Sequence, residues 1–222
     1  MQQILKVLVG SRAHGLSVPN SDYDYRGVYV VPTAQILSLR GSQNHFDVGK
    51  TESAENIDEA SWEIGHFLEL ATKCNPTILE TFLAPVENIT EEGMELRALF
   101  SSVWNSRGVR DAFCGFAHSQ QKRMLEGDIP ERQNKFAAAY LRTIFQGYDL
   151  LSTGKFVVRV SDSEIGETLR SIRAGTLSMG EIIDLCEKWK QKLEQAYDRN
   201  PNKQTNLDTV NQYLLEIRKK NL

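Results

Sequence analysis

Two short clusters near the N-terminus hold residue types that do chemistry. Gly10-Ser11 ends an apolar run, and Ser21-Asp22-Tyr23-Asp24 follows about ten residues later. A glycine at the end of a buried strand lets the backbone pass close to a ligand. The residues after it open a helical turn, whose free N–H groups attract phosphate. By itself this pair reads as an ordinary turn. It is no Walker loop, because no Gly-Lys-Ser/Thr follows. Asp22 and Asp24 are two apart on an expected strand, so their carboxylates point the same way. Like charges that close repel unless a cation sits between them. Two solvated acids on a polar edge strand would read the same. A calcium loop would not, since Tyr25 and Val31 stand where that loop needs glycine and glutamate.

Other candidates carry less. Lys135 and Arg142 are seven apart on an expected helix and share a face within about 20°. They would neutralise phosphate, although a solvated helix face explains them as well. Arg12 and His14 lie in the turn after Gly10 and are candidates for nucleotide contact. Glu80 follows an Asn-Pro turn and is expected to serve only its own helix. His45, His66 and His118 show no metal-ligand spacing. Cys74, Cys114 and Cys186 are far apart and odd in number, which argues against a zinc site or disulfides and for a reducing cytoplasm. The net charge of −3 excludes a polycationic nucleic-acid binder. The charge is uneven, with twelve acids against three bases over 41–100 and nine bases against five acids over 101–160. An acidic half facing a basic half suits a metal–triphosphate site.

These residues need a scaffold. The chain has 222 residues, 41% hydrophobic and 25% charged, as an ordinary soluble protein does. No run of about eighteen apolar residues predicts a membrane span, and the N-terminus does not read as a signal peptide. Lys6-Val7-Leu8-Val9 predicts a buried strand ending at Gly10. Val18-Pro19-Asn20-Ser21 is turn chemistry. The alternation over 22–31 predicts a second strand with Asp22, Asp24 and Arg26 on one face. Residues 32–56 read as a loop or partly structured insertion, 57–61 as a third strand and 62–73 as a helix. Asn75 caps and Pro76 opens the next helix. Helices follow from Thr90, over 108–125 and over 131–151, then from the capping box Ser178-Met179-Gly180-Glu181, then around Val210 to Ile217. The stripe holding Trp189 is core. Residues 1–90 are expected to form a catalytic core and 91–222 a helical region packed on it.

Taken together, Gly10-Ser11-Arg12-Ala13-His14-Gly15 and Ser21-Asp22-Tyr23-Asp24-Tyr25-Arg26-Gly27-Val28-Tyr29 resemble the DNA polymerase β-type nucleotidyltransferase superfamily, whose signature is a Gly-Ser turn and then an Asp-x-Asp strand. The match is nearest to a branch of predicted nucleotidyltransferases associated with RNA ligases in presumed RNA repair systems. Phe67 through Lys73-Cys74-Asn75-Pro76-Thr77-Ile78-Leu79-Glu80 resembles the same branch. So do Lys135-Phe136-Ala137 to Arg142 with Leu150-Leu151-Ser152-Thr153-Gly154, and Ile172-Arg173-Ala174-Gly175. The chain departs from the branch at His66, where lysine is usual, at Cys74, where glycine is usual, and at Asn200-Pro201-Asn202-Lys203, where a Pro-Asp-rich segment is expected.

The resemblance implies an α+β fold, a small mixed sheet flanked by helices and followed by a helical C-terminal half. It implies a third carboxylate on a neighbouring strand, placed at Asp58 by counting back from Asn75-Pro76, with Glu55 and Glu59 as rivals. Asp22, Asp24 and Asp58 would hold two divalent ions, Mg²⁺ or Mn²⁺. Gly10, Ser11, Arg12, His14, Ser21, Lys135 and Arg142 would bind the nucleotide. The reaction implied is transfer of NMP from an NTP to an acceptor hydroxyl with release of pyrophosphate. An RNA end is the favoured acceptor, and a protein side chain or a small molecule is the competitor within the same chemistry. The other class is a nucleotide-binding or antitoxin-like module that keeps the fold and works by protein contact.

Overall fold

The structure is a computed structural model that describes residues 1–39, the backbone of 49–53, and residues 57–222. His45 and Glu55 lie outside the described residues. The chain opens with β1 (Gln2–Val9), α1 (Gly10–His14), β2 (Tyr23–Val30) and α2 (Thr33–Leu37), then β3 (Gly49–Ser53), β4 (Ile57–Glu63), α3 (Ile64–Thr72), α4 (Pro76–Leu83) and β5 (Val86–Ile89). Helices follow to the C-terminus: α5 (Glu91–Ala98), α6 (Ser106–Glu126), α7 (Pro130–Thr153), α8 (Gly166–Arg173), α9 (Met179–Arg199) and α10 (Leu207–Lys220). The fold is α+β, as the resemblance implies. No helix among the described residues is long and apolar enough to cross a membrane.

The sheet order is β3-β4-β2-β1-β5. β2 and β4 run parallel, and the other pairs are antiparallel. Register then decides which side chains share a face. Val9 lies opposite Asp24 and Val7 opposite Arg26. Asp24 lies opposite Asp58, and Tyr25 opposite Glu59. One face therefore carries Asp24, Arg26 and Val28 with Asp58, Ala60 and Trp62. Asp22 sits one residue before β2, at the mouth of that face. The other face carries Lys6, Tyr23, Tyr25 and Glu59.

Five elements differ from the sequence expectation. β4 continues through Trp62 and Glu63, because both still pair with β2. β3 and α2 fall within the stretch read as an insertion. β5 and α8 have no counterpart in the sequence reading. Where signals were chemically specific, they appear. Asn75 Oδ1 accepts from the Thr77 and Ile78 amides at 3.0 and 3.4 Å. Ser178 and Glu181 form the reciprocal capping box.

Buried apolar residues make one cluster from Ile4 to Ile217 that crosses both halves. An aromatic chain runs through it. Phe67 meets Phe82 at 5.0 Å between ring centroids, Phe82 meets Phe100 at 6.0 Å, Phe100 meets Phe156 at 6.4 Å, and Phe156 meets Phe113 at 6.1 Å. Such pairs add to area burial and hold the helices at a set distance from the sheet. The C-terminal helix closes the far end. Arg218 Nη1 reaches Glu63 Oε1 at 2.6 Å, and Glu63 is 1% exposed.

Cys74, between α3 and α4, has φ 55°, the one non-glycine residue in the left-handed region among those described. That conformation costs an L-residue about 1–2 kcal/mol, which explains why glycine suits the position. Cys74→Gly is expected to leave stability within about 1 kcal/mol, since relief of strain offsets the lost buried thiol. Cys74→Val, β-branched, is expected to destabilise by about 2 kcal/mol or more. Urea unfolding of the two variants reads both outcomes.

Candidate active site

Gly10 ends β1 and starts α1 with φ +69°. A Cβ built there would lie 1.9 Å from Asp24 Oδ2. The position thus needs glycine for two reasons, its left-handed backbone and the carboxylate packed against it. Gly15, at φ +72°, ends the turn as the C-cap of α1. The segment between α1 and β2 is held from both sides. Ser21 Oγ accepts from the Val18 amide at 2.9 Å. Arg12 donates from Nη2 to the Ser21 carbonyl at 2.7 Å and from Nε to the Asp22 carbonyl at 3.2 Å. Its guanidinium also lies 3.8 Å from the Tyr23 ring centroid. Arg12 clamps the turn that delivers Asp22, and it does not line the cleft.

The cleft has a volume of about 350 Å³, within the range of small-ligand sites. Gly10, Ser11, Ser21, Asp22 and Asp24 line it from the sheet side. Lys135, Arg142 and Arg173 line it from α7 and α8, with Ala138 and Ala139 keeping the helix surface low between them. Lys135 and Arg142 come from the basic stretch of the sequence, whereas Asp22 and Asp24 precede the acidic stretch 41–100, none of whose described residues lines the cleft. Arg173 was the one cation of this wall to which the sequence reading gave no role. Its signal was the Ile172-Arg173-Ala174-Gly175 stretch, but nothing local says that the end of α8 turns back toward β2.

Asp24 is half-buried, and its carboxyl is held above the usual aspartate value. Burial is the main cause, and Asp58 and Asp22 add to it, while Arg26 and Lys135 oppose it. Asp58 acts on Asp24 from the adjacent strand, but it is not among the residues lining the cleft. Its rival Glu59 points to the other face, where Lys6 Nζ bonds it at 2.6 Å. Among the described residues, no three acid, histidine or cysteine side chains are arranged as a ready-made ion site. The donors brought near one another are all carboxylate oxygens, which suits a hard divalent ion. A divalent ion held there would favour the ionised form of Asp24 that burial disfavours.

Beneath the cleft lies a buried polar group that the sequence reading assigned differently. Glu80, on α4, hydrogen-bonds His14 Nε2 at the end of α1. Glu80 is 8% exposed and His14 6%. Glu80 therefore serves α1 rather than only its own helix. His14 borders the cleft, but its Nε2 is taken. Burial would raise the Glu80 pKa, yet His14, Arg142 and Arg26 outweigh it and pull it down to about 2, while burial and Arg142 push the His14 imidazole below its usual value. Arg142 also donates from Nη1 to Gln146 Oε1 at 2.9 Å. His66, 3.7 Å from Glu69 on α3, and His118, exposed on α6, stand apart from the site. All three cysteines are free thiols.

The family model RlaP, described as the RNA repair pathway DNA polymerase beta family, matches residues 1–216. An uncharacterized 38.9 kDa protein from the nrdC–mobD intergenic region of Enterobacteria phage T4 is 26% identical over 98 residues. That match covers 42% of this chain and 29% of the phage protein, so the chain spans less than a third of that relative.

Glu80→Gln is expected to lower stability at neutral pH by about 3 kcal/mol, as removal of one partner from a buried charge group does. A carboxylate with a depressed pKa adds stability above its unfolded value of 4.5, and this is lost as pH falls toward about 2. The stability difference between wild type and Glu80→Gln should therefore shrink through that window in acid titrations of unfolding. A difference that stays constant down to pH 2 would count against the ionised buried Glu80.

Proposed function

The chain belongs to the RNA repair pathway DNA polymerase beta family, matched over residues 1–216, and on that premise we propose that it transfers NMP from an NTP to an acceptor hydroxyl, an RNA end. The observation that supports this most is the opposition of Asp22 and Asp24 to Lys135, Arg142 and Arg173 across one cleft, with Asp58 in register beside Asp24.

Asp22, Asp24 and Asp58 would hold two Mg²⁺ or Mn²⁺ ions. Bound there, the ions supply charge neutralisation of the triphosphate and a more acidic acceptor hydroxyl. Lys135, Arg142 and Arg173 bind the β- and γ-phosphates, and the amides of Gly10 and Ser11 add donors. Ser21 and Arg12 act through the turn that carries Asp22. Asp58 takes the proton from the acceptor hydroxyl. The acceptor oxygen bonds to the α-phosphorus in line with the departing pyrophosphate, whose bond to that phosphorus breaks as the new one forms. His14 and Glu80 position the Gly10-Ser11 turn and do not touch the substrate.

Incubation with α-labelled NTPs, Mn²⁺ or Mg²⁺, and pooled tRNA or nicked RNA tests the reaction. Asp22→Ala and Asp24→Ala are expected to lower labelling on the order of 10³-fold. Lys135→Ala and Arg142→Ala are expected to raise the KM for NTP about tenfold each. Label transfer that survives Asp22→Ala and Asp24→Ala would sink the metal assignment. Label on protein or on a small molecule would replace the RNA acceptor. Tight metal–NTP binding with no transfer would favour the binding-module class.

A further inference from the structure

A second cavity, of about 680 Å³, lies at the other end of α7. Lys135 and Arg142 face the catalytic cleft. Tyr148 and the last turn of the same helix, Ser152 to Gly154, border this one. Thr153 is about 16 Å farther along the helix axis than Arg142. The opposite wall is the last two turns of α9 and the residues after it. Two stretches noted in the sequence meet here, Leu150-Leu151-Ser152-Thr153-Gly154 and Asn200-Pro201-Asn202-Lys203, and neither belongs to the catalytic cleft.

The walls are preformed. Asn200 is 6% exposed. Its Nδ2 donates to the Leu151 carbonyl at 2.6 Å, and its Oδ1 accepts from the Asn202 amide at 2.8 Å. Asn202 Nδ2 donates to the Trp104 carbonyl at 2.9 Å, and the Asn202 carbonyl accepts from the Ser106 amide at 2.7 Å. These bonds stitch the segment after α9 to the end of α7 and to the turn before α6.

The lining has a one-sided chemistry. Lys192 and Arg199 border the cavity, and no carboxylate does among the described residues. Lys192 Nζ sits 3.7 Å from the Trp189 ring centroid and 5.9 Å from that of Tyr148. Trp104 borders the cavity too. It is 5% exposed, and its indole N–H has no acceptor among the described residues. That nitrogen is itself sealed from solvent, so Trp104 serves as wall and offers the cavity no donor. Gln195 and Asn202 add amides.

From this set we infer that the cavity binds a phosphorylated nucleoside, either a free nucleotide or one nucleotide of an RNA strand. The cations take the phosphate. Tyr148 offers aromatic surface to a base. The Gln195 amide meets its edge. The site uses none of the catalytic carboxylates, so it stands whether or not the transfer reaction does.

Binding of AMP and of a short 5′-phosphorylated single-stranded RNA, measured by calorimetry in EDTA, tests the site. The same titrations on Lys135→Ala/Arg142→Ala, which removes phosphate-binding cations from the catalytic cleft and leaves those of this cavity, separate the two sites. Lys192→Glu/Arg199→Glu is expected to weaken binding tenfold or more. Lys192 and Arg199 are exposed, so the double variant should unfold at the wild-type temperature. Weakening of both probes assigns a free nucleotide, and weakening of RNA with no AMP binding by wild type assigns an RNA strand. Binding of both probes unchanged in the double variant, or absent from wild type, overturns the site. Loss of NTP transfer in Asp24→Ala with AMP binding intact would separate this site from the catalytic cleft.

Discussion

A half-buried carboxylate beside two others is unfavourable unless its charge is met, and much of this molecule is arranged around Asp24. The backbone at Gly10 comes so close to Asp24 Oδ2 that no side chain fits there. Arg26 lies two residues on along the same face, and Lys135 reaches the same carboxylate from α7. Sheet register puts Asp58 abreast, which sharpens the repulsion and concentrates negative charge at one end of the sheet. The protein's own cations meet part of that charge. Across the cleft, Lys135, Arg142 and Arg173 face Asp22 and Asp24 from the helical side.

For the two walls to face each other, the helical half must be held against the sheet. Packing does most of this through the shared core and the aromatic run from Phe67 to Phe113. The buried group of Glu80, His14, Arg142 and Arg26 adds direction. Its members come from α4, α1, α7 and β2. Glu80 is held ionised by the others, so a shift of α1 or α7 would strand a charge away from water, at a cost of several kcal/mol. The turn that carries Ser11 and the helix that carries Arg142 are thereby tied to one buried carboxylate. The same helix continues to the second cavity, so α7 borders both places where the chain gathers cations against open space.

Local signals in this sequence were strong where a single residue's geometry decides. Asn75, Pro76, Ser178 and Glu181 read as caps and are caps, because a cap needs only its own turn. The period of two over 22–31 placed Asp24 and Arg26 on one face, since alternation is built into a strand. Cys74 could be seen as an odd residue at a glycine position, but its strain appeared only with φ. The choice between Asp58 and Glu59 could not come from spacing. One residue of register separates the site face from the face where Lys6 holds Glu59.

By itself, then, the sequence determined those parts of the candidate site that lie along single elements. It contains the glycine that admits a carboxylate, the Asp-x-Asp strand and the two cations one heptad apart, and these depend on spacing along a single element. Tertiary structure alone decided what depends on elements far apart in the chain. It turned Arg173 into the cleft, took Arg12 out of it, and gave Glu80 to His14 across 66 residues. It also brought Trp104, Tyr148 and Asn200 around one cavity. The physical reason is the range of each signal. Dihedral preference and alternation act over a few residues, whereas charge pairing and cavity shape are set by packing, which no local pattern encodes.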